Sequence, residues 1–71
     1  MRQSVISLLL EATTDASDEI VIAAIYALGE GGNNSSEVMA RLESLANGKS
    51  HDIRVAAIKA LGRASIRRYK I

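Results

Sequence analysis

The chain has no cysteine, no phenylalanine and no tryptophan, and two tyrosines complete its aromatic complement. Without cysteine there is no disulfide framework, no thiolate zinc site and no cysteine nucleophile. A reducing, cytoplasmic setting is the simplest context for such a chain. Without large aromatics the core must be assembled from Ala, Val, Ile and Leu, which suits closely packed helices. Long apolar runs are lacking too. The longest, Ile20 to Leu28, has nine residues, against the roughly 20 that span a bilayer, so no membrane role is expected. The N-terminus has none of a signal peptide's charged-then-apolar layout before a small-residue cleavage site. What remains is one small domain of 71 residues, a size that buries only about 60% of its unfolded surface and leaves a thin margin of stability.

Charge of either sign is also lacking, but only in the sum. The net charge is +1, yet residues 1–37 carry Arg2 against six acids, a balance of −5. Residues 38–71 carry eight cations against Glu43 and Asp52, a balance of +6. The chain is an electrical dipole along its sequence, which bears on its partners rather than on its fold.

An internal repeat decides the architecture. When Asp18–Gly29 is set above His51–Gly62, seven of twelve positions are identical: Ile20/Ile53, Ala23/Ala56, Ala24/Ala57, Ile25/Ile58, Ala27/Ala60, Leu28/Leu61 and Gly29/Gly62. Chance would give roughly one. The same offset of 33 puts Val5 over Val38 and Leu9 over Leu42. Each unit reads as two helices. Val5, Leu8, Leu9 and Ala12 recur at helical spacing, as do Val38, Leu42 and Leu45. The second helix of each unit is expected to carry one buried apolar stripe, formed in the second unit by Ile53, Ala56, Ala57, Ala60 and Leu61, and its small residues let helix axes approach closely.

The punctuation agrees. Ser17 and Ser50 stand where N-caps are needed, with Asp18, Glu19 and Asp52 in the first turns, where acids favour the helix dipole. Asn34 and Glu37 are placed for a capping box. Gly31-Gly32 and Asn47-Gly48 offer left-handed helix stops, and Arg63 sits near a helix end. The expected helices are 3–13, 18–30, 35–46 and 51–64. The expected organisation is one domain, with repeat one over 3–31, repeat two over 35–64 and a basic tail over 65–71.

The segments Ile20–Gly29 and Ile53–Gly62 resemble the V-R-x-x-A-A-x-A-L-G signature of HEAT-like repeats, the short type first described in phycobilisome lyases. Val38, Leu42 and Leu45 look like that repeat's first-helix positions. The resemblance implies an all-α fold of two tandem helical hairpins in a short right-handed α-solenoid, with the second helices lining a concave face. Two departures stand out. The signature arginine is present as Arg54 but is Val21 in the first unit, and the usual aspartates of the inter-helix turn are Ser17 and Ser50.

No reactive centre emerges, and no enzyme or cofactor is expected. His51 and Asp52 invite a catalytic reading, but no motif ties a nucleophile to them. One histidine among scattered carboxylates has no ligand spacing for a metal. Gly29-Glu-Gly-Gly32 follows a helix and lacks the strand-turn-helix context and the lysine of a phosphate loop.

The surplus of apolar residues is more telling. Val21, Ile22 and Tyr26, with Val55 in the second unit, are read as lying away from the alanine stripe. Stacked repeats would set Ile22 beside Val55 and Tyr26 beside Lys59. Apolar residues rimmed by charge mark interaction sites, so Val21, Ile22, Tyr26, Arg54, Val55 and Lys59 are the expected partner-binding residues. Packing inside the fold or within a homo-oligomer is the competing account.

Arg63, Arg67, Arg68 and Lys70 form a basic end that would suit an acidic protein or a nucleic-acid backbone; a frayed, solvated terminus is the plainer account. Two repeats also leave apolar helices open at both ends, where about three are usual for independent stability. Self-association, a larger capping protein or a longer parent array would each answer that. The expected function is a non-enzymatic protein-interaction module, a scaffold or adaptor. The alternatives are a bilin-lyase-related component, which the resemblance brings with it, and nucleic-acid contact through the basic end.

Overall fold

The computed structural model describes residues 1–31 and 35–68, with side chains as far as Ser65. It contains four helices: α1 (Gln3–Ala12), α2 (Asp18–Glu30), α3 (Ser36–Ala46) and α4 (His51–Arg68). α1 packs on α2 and α3 on α4, making two hairpins, and α2 packs on α4 to join them. Two tandem hairpins thus form a short all-α solenoid. Its Cα envelope of 36 × 25 × 16 Å is a slab two helices thick, as expected for axes about 10 Å apart.

The core is aliphatic, as the missing aromatics required. Ile25, Leu28, Val38 and Leu42 are fully buried where the helices meet, and Ala56, Ala57, Ala60 and Ala64 line the inner side of α4. Each large aliphatic contributes on the order of 1.5–3 kcal/mol by leaving water. The alanine stripe of α4 is buried as its spacing predicts. The same motif in α2 is buried only in part, at Ala24 and Leu28. There Ile20 and Ala23 are exposed, while Val21, Ile25 and Gly29 are buried. The cause is position in the stack: α4 has α2 on one flank, whereas α2 has α4 on the opposite flank. Gly29 marks the closest approach, since a Cβ added there would lie 2.9 Å from the Cβ and 3.0 Å from the Cα of Ala60.

Three serines cap their helices. Ser17 Oγ accepts from the Ile20 amide at 3.4 Å, Ser35 Oγ from Val38 at 3.3 Å and Ser50 Oγ from Ile53 at 3.4 Å. The third helix therefore starts from Ser35 and not from Asn34, which lies outside the described residues. Glu37 then falls one position short of the place a reciprocal box requires. The left-handed stops are absent among the described residues as well, Gly32 lying outside them. Gly31 has φ −66° and Asn47 φ −105°, and Gly48 is not left-handed. These ends close instead through backbone bonds from Gly31 to Ala27 and from Gly48 to Leu45. α4 continues four residues beyond the expected 64, so residues 65–68 are helix and not tail, and Arg63 is interior to it.

The two hairpin turns are held differently. In the first, Thr13 and Thr14 hydroxyls donate to the carbonyls of Leu10 (2.6 Å) and Glu11 (2.7 Å), and Asp15 Oδ1 accepts from the Ser17 amide at 2.8 Å. In the second, the Arg54 guanidinium donates to the carbonyls of Gly48 at 3.0 Å and Lys49 at 3.1 Å. That arrangement explains why the first unit tolerates Val21 at the arginine position: its turn supplies its own side-chain donors and acceptor.

Candidate functional site

Between α2 and α4 lies a shallow, open groove of about 440 Å³ lined by Tyr26, Glu30, Lys59, Gly62 and Arg63. Its geometry follows from the repeat. Residues four apart share a helix face, so Ile22, Tyr26 and Glu30 form one row on α2. The 33-residue offset makes Val55, Lys59 and Arg63 the matching row on α4. The rows run side by side where α2 packs on α4. At one end Arg63 Nε meets Glu30 Oε2 at 2.8 Å, with both side chains more than half exposed, and Arg63 Nη2 donates to Glu30 Oε1 at 3.1 Å. Tyr26 and Lys59 occupy the middle. Tyr26 is 40% exposed, and among the described residues Lys59 makes no ion pair.

Two further polar links join the repeats away from the groove. Arg41 Nη1 donates to Thr13 Oγ1 at 3.0 Å, and Ser50 Oγ donates to Asp18 Oδ2 at 3.4 Å. Ser50, one of the two serines that replace the usual turn aspartates, therefore still supports inter-repeat bonding.

The expected site residues divide accordingly. Tyr26 and Lys59 come together in the groove, and Val55 is exposed on the same side of α4. Ile22 is half-buried and packs against the core. Val21 is a correction: at 3% exposure it belongs to the core, because the flank of α2 carrying it is covered. Arg54 is half-buried with its guanidinium engaged in the turn between α3 and α4, so it serves the fold. Arg63 is drawn into the pair with Glu30. The side chains of Arg67 and Arg68, and Lys70 entirely, lie outside the described residues.

Glu30 and Gly62 were not among the expected residues. Their signal is present in the repeat alignment: Glu30 and Arg63 occupy one repeat position with opposite charge, and Gly62 matches the buried Gly29. The exposed aliphatics Val5, Leu8, Ile20 and Ile58 were not anticipated as surface residues either.

Among the described residues no three His, Asp or Glu side chains gather as metal ligands, and no helix is long and apolar enough to cross a membrane. The groove offers an aromatic face, a lysine and an ion pair. A family model described as HEAT repeats matches residues 2–68. No curated protein and no solved structure shows a significant match to the chain.

Proposed function

The chain belongs to the HEAT-repeat family, and from that premise we propose a non-enzymatic protein-interaction module that takes its partner in the groove between α2 and α4. HEAT repeats are generally protein-interaction scaffolds, and the observation that carries the reading here is the half-exposed Tyr26 beside Lys59. Tyrosine offers a rigid contact area at low entropic cost, which is why it is enriched at interfaces. Lys59 gives the groove a cation that a partner's carboxylate can neutralise, and Val55 extends its apolar side. The fitting partner is a protein segment with an apolar side chain next to an acidic one.

The test is differential capture from a lysate of the native host. Wild-type protein should retain a partner that Tyr26→Asp and Lys59→Glu variants lose, by at least about tenfold, the factor that 1.4 kcal/mol of binding energy represents. Both positions are exposed, so far-ultraviolet circular dichroism should show unchanged helicity. Capture of the same partner by all three proteins would remove the groove from the interaction.

A further inference from the structure

The two repeats carry the same residues on their outer flanks, but only one copy of each is covered. Ile25 is 0% exposed and its repeat mate Ile58 is 59% exposed. Gly29 lies hard against Ala60, while a Cβ at Gly62 would meet nothing within 4 Å. What covers the Ile25–Gly29 flank of α2 is the inner stripe of α4, with Ala60 at its centre. The repeat mates of that stripe are Ile20, Ala23 and Ala27 on the opposite flank of α2, and there Ile20 and Ala23 are exposed. The chain thus presents both halves of its own inter-repeat interface a second time, uncovered, at opposite ends.

We infer that a second copy of this chain docks head to tail, its Ile20–Ala23–Ala27 stripe lying on the Ile58–Gly62 flank of α4. The contact repeats the α2–α4 packing one unit further along the stack. Gly62 then has the use that Gly29 already shows, a gap for a partner alanine. The outer helices follow the same register. Val38 on α3 is fully buried, whereas its mate Val5 on α1 is exposed, and docking brings the second copy's Val5 into the setting of Val38.

Charge favours this pairing over the two-fold contacts that would join like ends. Residues 1–37 sum to −5 and residues 38–71 to +6, so a first repeat laid on a second repeat joins opposite charges. First on first, or second on second, would oppose like charges. In the same register the second copy's Glu30 approaches Arg63, as Glu30 approaches Arg63 within the chain. The interface is heterologous, so it leaves a free end of each kind and can extend beyond a dimer.

Sedimentation of the purified full chain over a concentration series tests this with two blocking variants. Ala23→Glu blocks the head and Ile58→Glu the tail. Both sites are exposed and glutamate is a good helix former, so dichroism should confirm that each variant folds. Wild type should associate progressively with concentration. Each variant alone should associate at least about tenfold more weakly, because a carboxylate would have to enter an apolar contact. An equimolar mixture of the two should form a one-to-one dimer and nothing larger, since one free head and one free tail remain. Three results overturn the inference: wild type monomeric up to millimolar concentration, loss of association in only one variant, or loss in both with no pairing on mixing. Tyr26→Asp should leave this association in place, which keeps the outcome separate from that of the groove.

Discussion

At one repeat position the first unit has a buried isoleucine, Ile25, and the second an exposed one, Ile58. The glycines four residues on repeat the contrast, and Ala23 and Ala56 invert it: exposed in the first repeat, buried in the second. The shared motif therefore encodes two flanks, one for the repeat before and one for the repeat after. Neighbours decide which flank is used. Composition and periodicity are identical at these positions, so the difference in energy between the two repeats is a property of the stack and not of the residues themselves.

The largest expected effect separates the isoleucines. Ile25→Ala should destabilise the dilute chain by about 2–5 kcal/mol, the cost of a lost side chain plus its cavity. Ile58→Ala should stay within about 0.5 kcal/mol, as an exposed substitution does. Urea unfolding checks both, and comparable losses would break the comparison. A domain this small has only a few kcal/mol to lose, so the Ile25 variant should be largely unfolded even without denaturant.

The glycines should differ in sign. Gly29→Ala forces a Cβ against Ala60 at 2.9 Å, and overpacking of that kind costs about 1–3 kcal/mol. Gly62→Ala meets open space inside α4 and should gain about 0.5–1 kcal/mol of helix preference. Thermal melts of the two variants read the opposite shifts directly.

Much of this was legible in the residues. The 33-residue offset set out two hairpins, and the serine caps at Ser17 and Ser50 placed the starts of α2 and α4. The buried stripe of α4 followed from its spacing alone. What could not be read was the side each helix turns to its neighbours, because a repeat motif is apolar on both flanks. Val21 was therefore placed on the surface, while Ile20, the repeat mate of Ile53 in the stripe, was placed in the core. Helix ends failed for a different reason. Asn and Gly permit left-handed stops without requiring them, and Asn47 and Gly31 closed their helices at negative φ. The groove was half visible: Tyr26 and Lys59 followed from the alignment, whereas Glu30 needed the recognition that its repeat mate carries the opposite charge.

A smaller effect should sharpen the comparison at the outer helices. Thr13 is buried, and its hydroxyl both donates to Leu10 and accepts from Arg41. Thr13→Val keeps the shape and removes both bonds, which should cost about 1 kcal/mol. The repeat mates of this pair, Ala46 and Leu8, have no such chemistry, so the link belongs to the one inter-repeat junction within the chain. A Thr13→Val variant as stable as wild type in urea would mean that packing alone joins α1 to α3.

The smallest effect is expected at the groove's end. Glu30 and Arg63 are in contact at 2.8 Å but both remain more than half exposed, so water and salt screen their attraction. Glu30→Gln should cost less than about 0.5 kcal/mol, and less again at high ionic strength. The weakness matters to the comparison. A pair that holds the fold together cannot also be released, whereas a weakly held pair leaves Arg63 able to turn to an incoming acid at little cost. Stability measured for Glu30→Gln in low and high salt decides between these roles. A loss above about 1 kcal/mol that persists in salt would make the pair a fixed strut between the repeats, and Arg63 would no longer be available to a carboxylate arriving from outside.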